Sequence, residues 1–306
     1  MIKSLLLILL FIFNVTYTIA QNELDIAECK GKIALNNQDS VLAIEHYLQV
    51  ISNDFASTYN YILTITLLAH QKEYQKATTV TEHYILKGHP FNSLNNKNLN
   101  GLKESPYWND FLLKKDSIIG VSKQQLDQGW IKLLDNMVYM DQEFRSFDIT
   151  FFNDSYLNEH PYLMMTTIDS VNFNKLVKTC AEKGFPTYKS IGFNAMSNLL
   201  LLLWHHRYSY QTNPNWVKIR PFIQREIDAG NLPPSFLALF IDQYQISTNQ
   251  PMIYGMLLRA YYNQPEYDQF QIQDIPNLNK RRKEIGLAPI ELWLASLNQI
   301  PPKCLK

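Results

Sequence analysis

The chain has 306 residues, 46% hydrophobic and 18% charged, with 28 basic side chains against 28 acidic ones. A balance of zero excludes a protein built to coat nucleic acid or an anionic membrane, which need a positive excess, and the apolar fraction excludes a wholly disordered chain. Three cysteines are too few for a disulfide framework; Cys29, Cys180 and Cys304 allow at most one bridge and one free thiol, or three reduced thiols.

Residues 1–20 have the pattern of a secretory signal. Lys3 supplies a positive start, Leu5 to Phe13 is an unbroken apolar run, and Thr18-Ile19-Ala20 offers small residues for cleavage after Ala20. The run is far shorter than the roughly 20 residues that cross a bilayer. The protein is therefore expected to be exported, to the periplasm or beyond the cell, with no transmembrane helix after signal removal.

Residues 21–113 read as a helical lobe with a connector. Ile26, Cys29, Ile33 and Ala34 recur at helical spacing, and Asn36 to Asp39 breaks the pattern. A second helix follows through Ala43, Tyr47 and Val50. A third runs from about Ala56 to His70, and a fourth from Tyr74 to Lys87, with Gly88 placed to cap it. Two successive hairpins suggest a repeat. Gly31, Ala43 and Tyr47 resemble a tetratricopeptide repeat; the second hairpin keeps Ala77 but has Ile65 and Thr81 at the positions matching Gly31 and Tyr47. A degenerate pair is too short for a free-standing solenoid and must pack against a neighbour. Residues 91–113, rich in Asn and punctuated by Ser105-Pro106, are expected to be a connector packed through Leu94, Leu99, Leu102, Trp108 and Phe111.

A compact helical domain is expected over 123–300. Its elements are a long helix over 123–146, an aperiodic aromatic stretch over 147–168, and helices over 172–183, 192–206, 216–229, 236–241, 276–285 and 289–298. Gly286 should cap the penultimate helix, with Leu287 as its hydrophobic contact. No alternating strand pattern stands out, so the fold class is all-α: tetratricopeptide-like hairpins followed by a helical domain.

No phosphate loop, nucleophile elbow, zinc-protease helix or paired Cys-x-x-Cys is present, so no cofactor and no metal are expected. His205 and His206 end the most apolar helix. Either suits acid–base work, and either suits the negative end of a helix dipole. Asp242 follows Phe240-Ile241 and needs a partner if buried, with Arg281, Arg282, Arg259 and the histidines as candidates. Asp141 and Arg145 are spaced as an exposed i,i+4 pair, worth about 0.3–0.5 kcal/mol. Lys280 to Lys283 is the one basic run, most simply a solvated helix face.

From about Gln125 to Asn298 these residues fall in an order that resembles an uncharacterised bacterial family, a domain of unknown function. Its Asp-Gln-x-x-Arg is matched by Asp141, Gln142 and Arg145, its Gly-aromatic-Pro turn by Gly184, Phe185 and Pro186, and its following Gly by Gly192. Its histidine is matched by His206 or His205, its Tyr-Gly by Tyr254 and Gly255, and its Arg-Arg and Gly-Leu by Arg281, Arg282, Gly286 and Leu287. Gln243 stands where the family has Arg, and Leu257 where it has Gln. The resemblance implies a site but no established activity.

Two functions follow as expectations. The first is a binding or scaffolding protein, with a protein or peptide on the N-terminal lobe. The second is a small-molecule hydrolase or transferase. There His206 or His205 acts as acid–base, Asp242 orients it, and Asp141, Gln142, Arg145, Tyr254, Arg281 and Arg282 bind a small anionic ligand.

Overall fold

The computed structural model describes residues 21–146 and 163–306. The signal-like segment and the aromatics Phe151, Phe152, Tyr156 and Tyr162 lie outside them. The described residues are all-α, with one isolated bridge, Met252 to Ile272, in place of any sheet. No helix among them is long and apolar enough to cross a membrane.

The first lobe is a run of helices whose ends are set by local chemistry. Helix α1 covers 21–36. Asp39 and Ser57 accept from the amides of Leu42 and Asn60 and so start α2 (Ser40–Ile51) and α3 (Thr58–His70). Helix α4 (Tyr74–Leu86) ends at Gly88, whose φ of 76° lets His89 N–H return to the Tyr84 carbonyl. Ala43, Ala77 and Ile65 are fully buried, and a Cβ on Gly31 would meet the Tyr47 ring at 3.0 Å. Gly31, Ala43 and Ala77 are small enough to let neighbouring helices approach closely, whereas Ile65 fills the gap at the second hairpin. Residues 91–105 form short turns that bury Leu94, Leu99 and Leu102 in the same core.

The expected connector is shorter than 91–113. Ser105 accepts from the Trp108 amide and Pro106 occupies the first turn of α5 (Pro106–Gln125), which packs on α4. This helix buries little besides Trp108, Phe111 and Ser122, so its apolar stripe is too narrow to read as a period. It supplies the neighbour that the hairpin pair needs. The expected single helix over 123–146 is divided: Leu126 is extended (ψ 143°), and Asp127 caps a new helix, α6 (Gln128–Ser146), through the Trp130 amide.

A second core joins α6 to α7 (Leu163–Lys183), α8 (Tyr188–Trp204), α9 (Pro214–Asp228) and α10 (Ala238–Ser247). Trp130, Leu134, Phe173, Leu199, Trp216 and Phe240 lie at its centre. A capping box between Thr187 and Ser190 opens α8, and Gly192 kinks it at φ 72°. A third, smaller core around Met252, Leu258, Ile272, Leu278, Ile290 and Leu294 carries α11 (Leu278–Glu284) and α12 (Ile290–Ser296). The 123–300 region thus holds two cores, with Trp204 packed against both.

Two seams tie the first lobe to the rest. At one, a Cβ on Gly88 would lie 2.9 Å from the Gly192 Cα, while His89 stacks on Phe193 and Phe55 meets Tyr188 edge-on. At the other, Asp25 of α1 accepts from the Ala288 amide at 2.6 Å and Asn22 donates to the Leu287 carbonyl at 2.5 Å. Cys29, Cys180 and Cys304 are all free, and burial pushes the Cys29 and Cys180 thiols up to about 12.

Candidate functional site

The polar residues singled out in the sequence fall into two groups, and no hydrogen bond or ion pair among the described residues joins them. The first gathers where α6, α7 and the end of α8 converge. Asp141 of α6 is fully buried, so it is not half of an exposed pair. Arg145, one turn later, closes on it through Nε and Nη2 at 3.1–3.3 Å. Asp169 of α7 takes the same Nη2 at 2.5 Å. His205, the residue that ends α8, places Nδ1 3.0 Å from Asp141 Oδ1 and 3.4 Å from Asp169 Oδ1. That nitrogen is buried, yet it aligns with neither oxygen as a hydrogen-bond donor. Gln142 lies at the exposed rim and donates to Asp141 Oδ2 at 2.6 Å.

The charges shape one another. Burial raises the Asp169 carboxyl, but His205 and Arg145 against it outweigh burial and hold it below the usual carboxylate range. Burial lowers Arg145, and its bonds to Asp141 and Asp169 more than reverse that. Asp169 has no counterpart among the sequence-derived candidates. It stands at the edge of the aperiodic aromatic stretch, where no helix is legible, while α7 begins well before it.

His206 has a different task. Its ring stacks on Phe173 with centroids 4.3 Å apart, Nε2 lies 3.0 Å from the Asp169 carbonyl, and its own carbonyl accepts from Trp216 Nε1 at 2.9 Å. Burial pushes its pKa down. It is a packing histidine that fixes the turn carrying Asp169.

The second group braces the third core. Asp242 is fully buried, and its carboxylate accepts the backbone amides of Ile253, Tyr254 and Met256 at 2.7–3.0 Å. Its partners are these amides rather than a histidine. Arg282, also fully buried, donates to the carbonyls of Ala288 (2.7 Å) and Tyr254 (2.6 Å). Arg281 donates to the carbonyls of Ile253 and Asp274. Arg281 Nη1 also reaches the Asp274 carboxylate at 3.4 Å; the remaining donors of both arginines go to the backbone, save the buried Arg282 Nη2. Tyr254 is half-buried in a small cleft beside Tyr210 and Glu284. Gln243 and Leu257 are both buried.

No family model, no curated protein and no solved structure matches the chain.

Proposed function

We propose that this is an exported protein that binds a peptide or protein partner in the groove where the first lobe meets the third core. The observation that carries this reading is the groove itself, about 630 Å³, lined by Lys32 and Asn36 of α1, Ser57 and Tyr59 at the start of α3, and Arg259 and Ser296. Tyr59 is 61% exposed. Arg259 is exposed and makes no ion pair among the described residues. Tyrosine and arginine are the side chains that anchor partners most often, and stacked helical hairpins offer such concave surfaces to extended peptides. The tetratricopeptide-like spacing of Gly31, Ala43 and Tyr47 and the secretory pattern of residues 1–20 support the same reading.

A photo-cross-linking residue at position 59, in cells making the full chain, tests it. A discrete adduct that Arg259→Glu abolishes is expected; no adduct, or one indifferent to Arg259→Glu, defeats the reading. N-terminal sequencing of the exported protein should begin at Gln21.

One observation favours a second reading, a small-molecule hydrolase or transferase. His205 stands between two carboxylates, so the acid–base role falls to it rather than to His206, and Asp169 rather than Asp242 orients it. A metabolite thermal-shift screen decides it: a ligand shift equal in wild type and His205→Ala removes His205 from the site.

A further inference from the structure

We propose that Asp141, Asp169 and His205 form a binding site for one first-row divalent metal ion that accepts mixed nitrogen and oxygen ligands, with Zn²⁺ as its probe. The inference does not depend on the peptide groove.

Three helices bring these residues together, and one ligand atom from each lies within 4.8 Å of the others. The finer distances point the same way. Ligands about 2.0–2.2 Å from a common ion stand roughly 3.0–3.5 Å from one another. His205 Nδ1 stands 3.0 Å from one carboxylate oxygen and 3.4 Å from the other.

Direction separates a coordination sphere from a hydrogen bond. In a hydrogen bond the acceptor lies near the axis of the N–H. Around a metal the neighbouring ligands lie roughly 35–45° off the nitrogen–metal axis, because that axis points at the ion between them. His205 Nδ1 is buried, has two carboxylate oxygens at close range, and is aligned with neither. As a hydrogen-bond donor the imidazole is poorly used, whatever it gains from the charge of the carboxylates; as a ligand it is placed correctly.

The surroundings resemble an outer shell. Asp141 Oδ2 is held by Gln142 and by Arg145 Nε, while Oδ1, which Arg145 also touches, stands 3.0 Å from His205 Nδ1. Arg145 Nη2 touches Oδ1 of both carboxylates, as outer-shell donors commonly do for ligating carboxylates. His206, through the Asp169 carbonyl, steadies the turn that carries the second carboxylate. Ligation requires the imidazole without its second proton; two carboxylates then face one guanidinium, and a dication offsets the difference. An imidazole with only two carboxylates is a poor cage for Ca²⁺ or Mg²⁺, which want more oxygen ligands or several waters, and suits a borderline ion. Three protein donors leave a position open to water, the arrangement of reactive rather than purely structural sites.

Calorimetric titration of Zn²⁺ into tag-free, chelator-stripped full-length protein tests the proposal. One equivalent should bind. His205→Ala and Asp169→Asn should each weaken binding at least about ten-fold, and His206→Ala should weaken it much less. Absence of a one-equivalent site in the wild type overturns the proposal, as does affinity unchanged in His205→Ala, which would mean adventitious surface binding. If a variant fails the circular-dichroism check for folding, the wild-type histidine ¹⁵N spectrum decides. One equivalent of Zn²⁺ should shift Nδ1 of a single buried imidazole, and no such shift overturns the assignment.

Discussion

Two buried aspartates in this protein are satisfied in opposite ways. Asp242 takes three backbone amides from one loop and lies near a fully buried arginine that grips the same loop. Asp141 takes side chains only: Arg145, Gln142 and the off-axis His205. A carboxylate held by amides cannot let go without unfolding the loop that holds it, so it is a brace. A carboxylate held by side chains can change partners while the helices stay in place. Side-chain satisfaction, more than burial, separates a site from a strut.

The contrast can be broken experimentally. The largest effect should come from Asp242→Ala, which orphans three amides; about 3–5 kcal/mol of stability should be lost in urea unfolding. Arg282→Met should follow at about 3 kcal/mol, because it removes the cation whose charge eases the burial of both Asp25 and Asp242. Asp169→Asn should cost only about 1 kcal/mol, since a partly exposed Arg145 can turn to Asp141 or water. A loss at Asp169→Asn equal to that at Asp242→Ala would erase the distinction.

Acid titration sharpens it further. Asp169 has a lowered folded pKa, so its contribution is present above the unfolded value of about 3.9 and is lost as pH falls through the folded value. Asp242 has a raised one, because burial outweighs the three amides and Arg282. Its contribution is greatest below about 3.9 and shrinks as pH rises through the folded value. Carboxyl ¹³C shifts in the folded protein should show Asp169 turning below the usual range and Asp242 above it.

Much of the scaffold was legible because it rests on local rules. Gly88 and Gly286 cap helices where their left-handed freedom is needed, Gly31 faces Tyr47, and the apolar spacing marks most helices. What failed was tertiary. An i,i+4 pair looks the same in sequence whether Asp141 is exposed or, as here, fully buried. Asp169 could not be seen because the stretch before it has no period. The order His, Asp, Arg-Arg suggested one site, yet Asp242 and the arginines serve the backbone of a neighbouring core. Of the adjacent histidines, His205 meets the carboxylates and His206 the aromatic core; the roughly 100° between consecutive helical residues makes the division but not its sense.

The contact of Asn22 and Asp25 with Leu287 and Ala288 has a consequence in time. α1 is synthesised before its partner segment, which comes more than 260 residues later. Any route that delivers the polypeptide from its amino end leaves that face of α1 uncovered until the intervening residues have emerged. Such distant pairings form slowly and leave apolar surface open to misassembly meanwhile. The first lobe can condense early around its own core, but the clasp between α1 and the Gly286–Ala288 turn closes later. Loss of residues 21–25 or of 286–288 should therefore leave the same half-made object, with one side of the clasp bare.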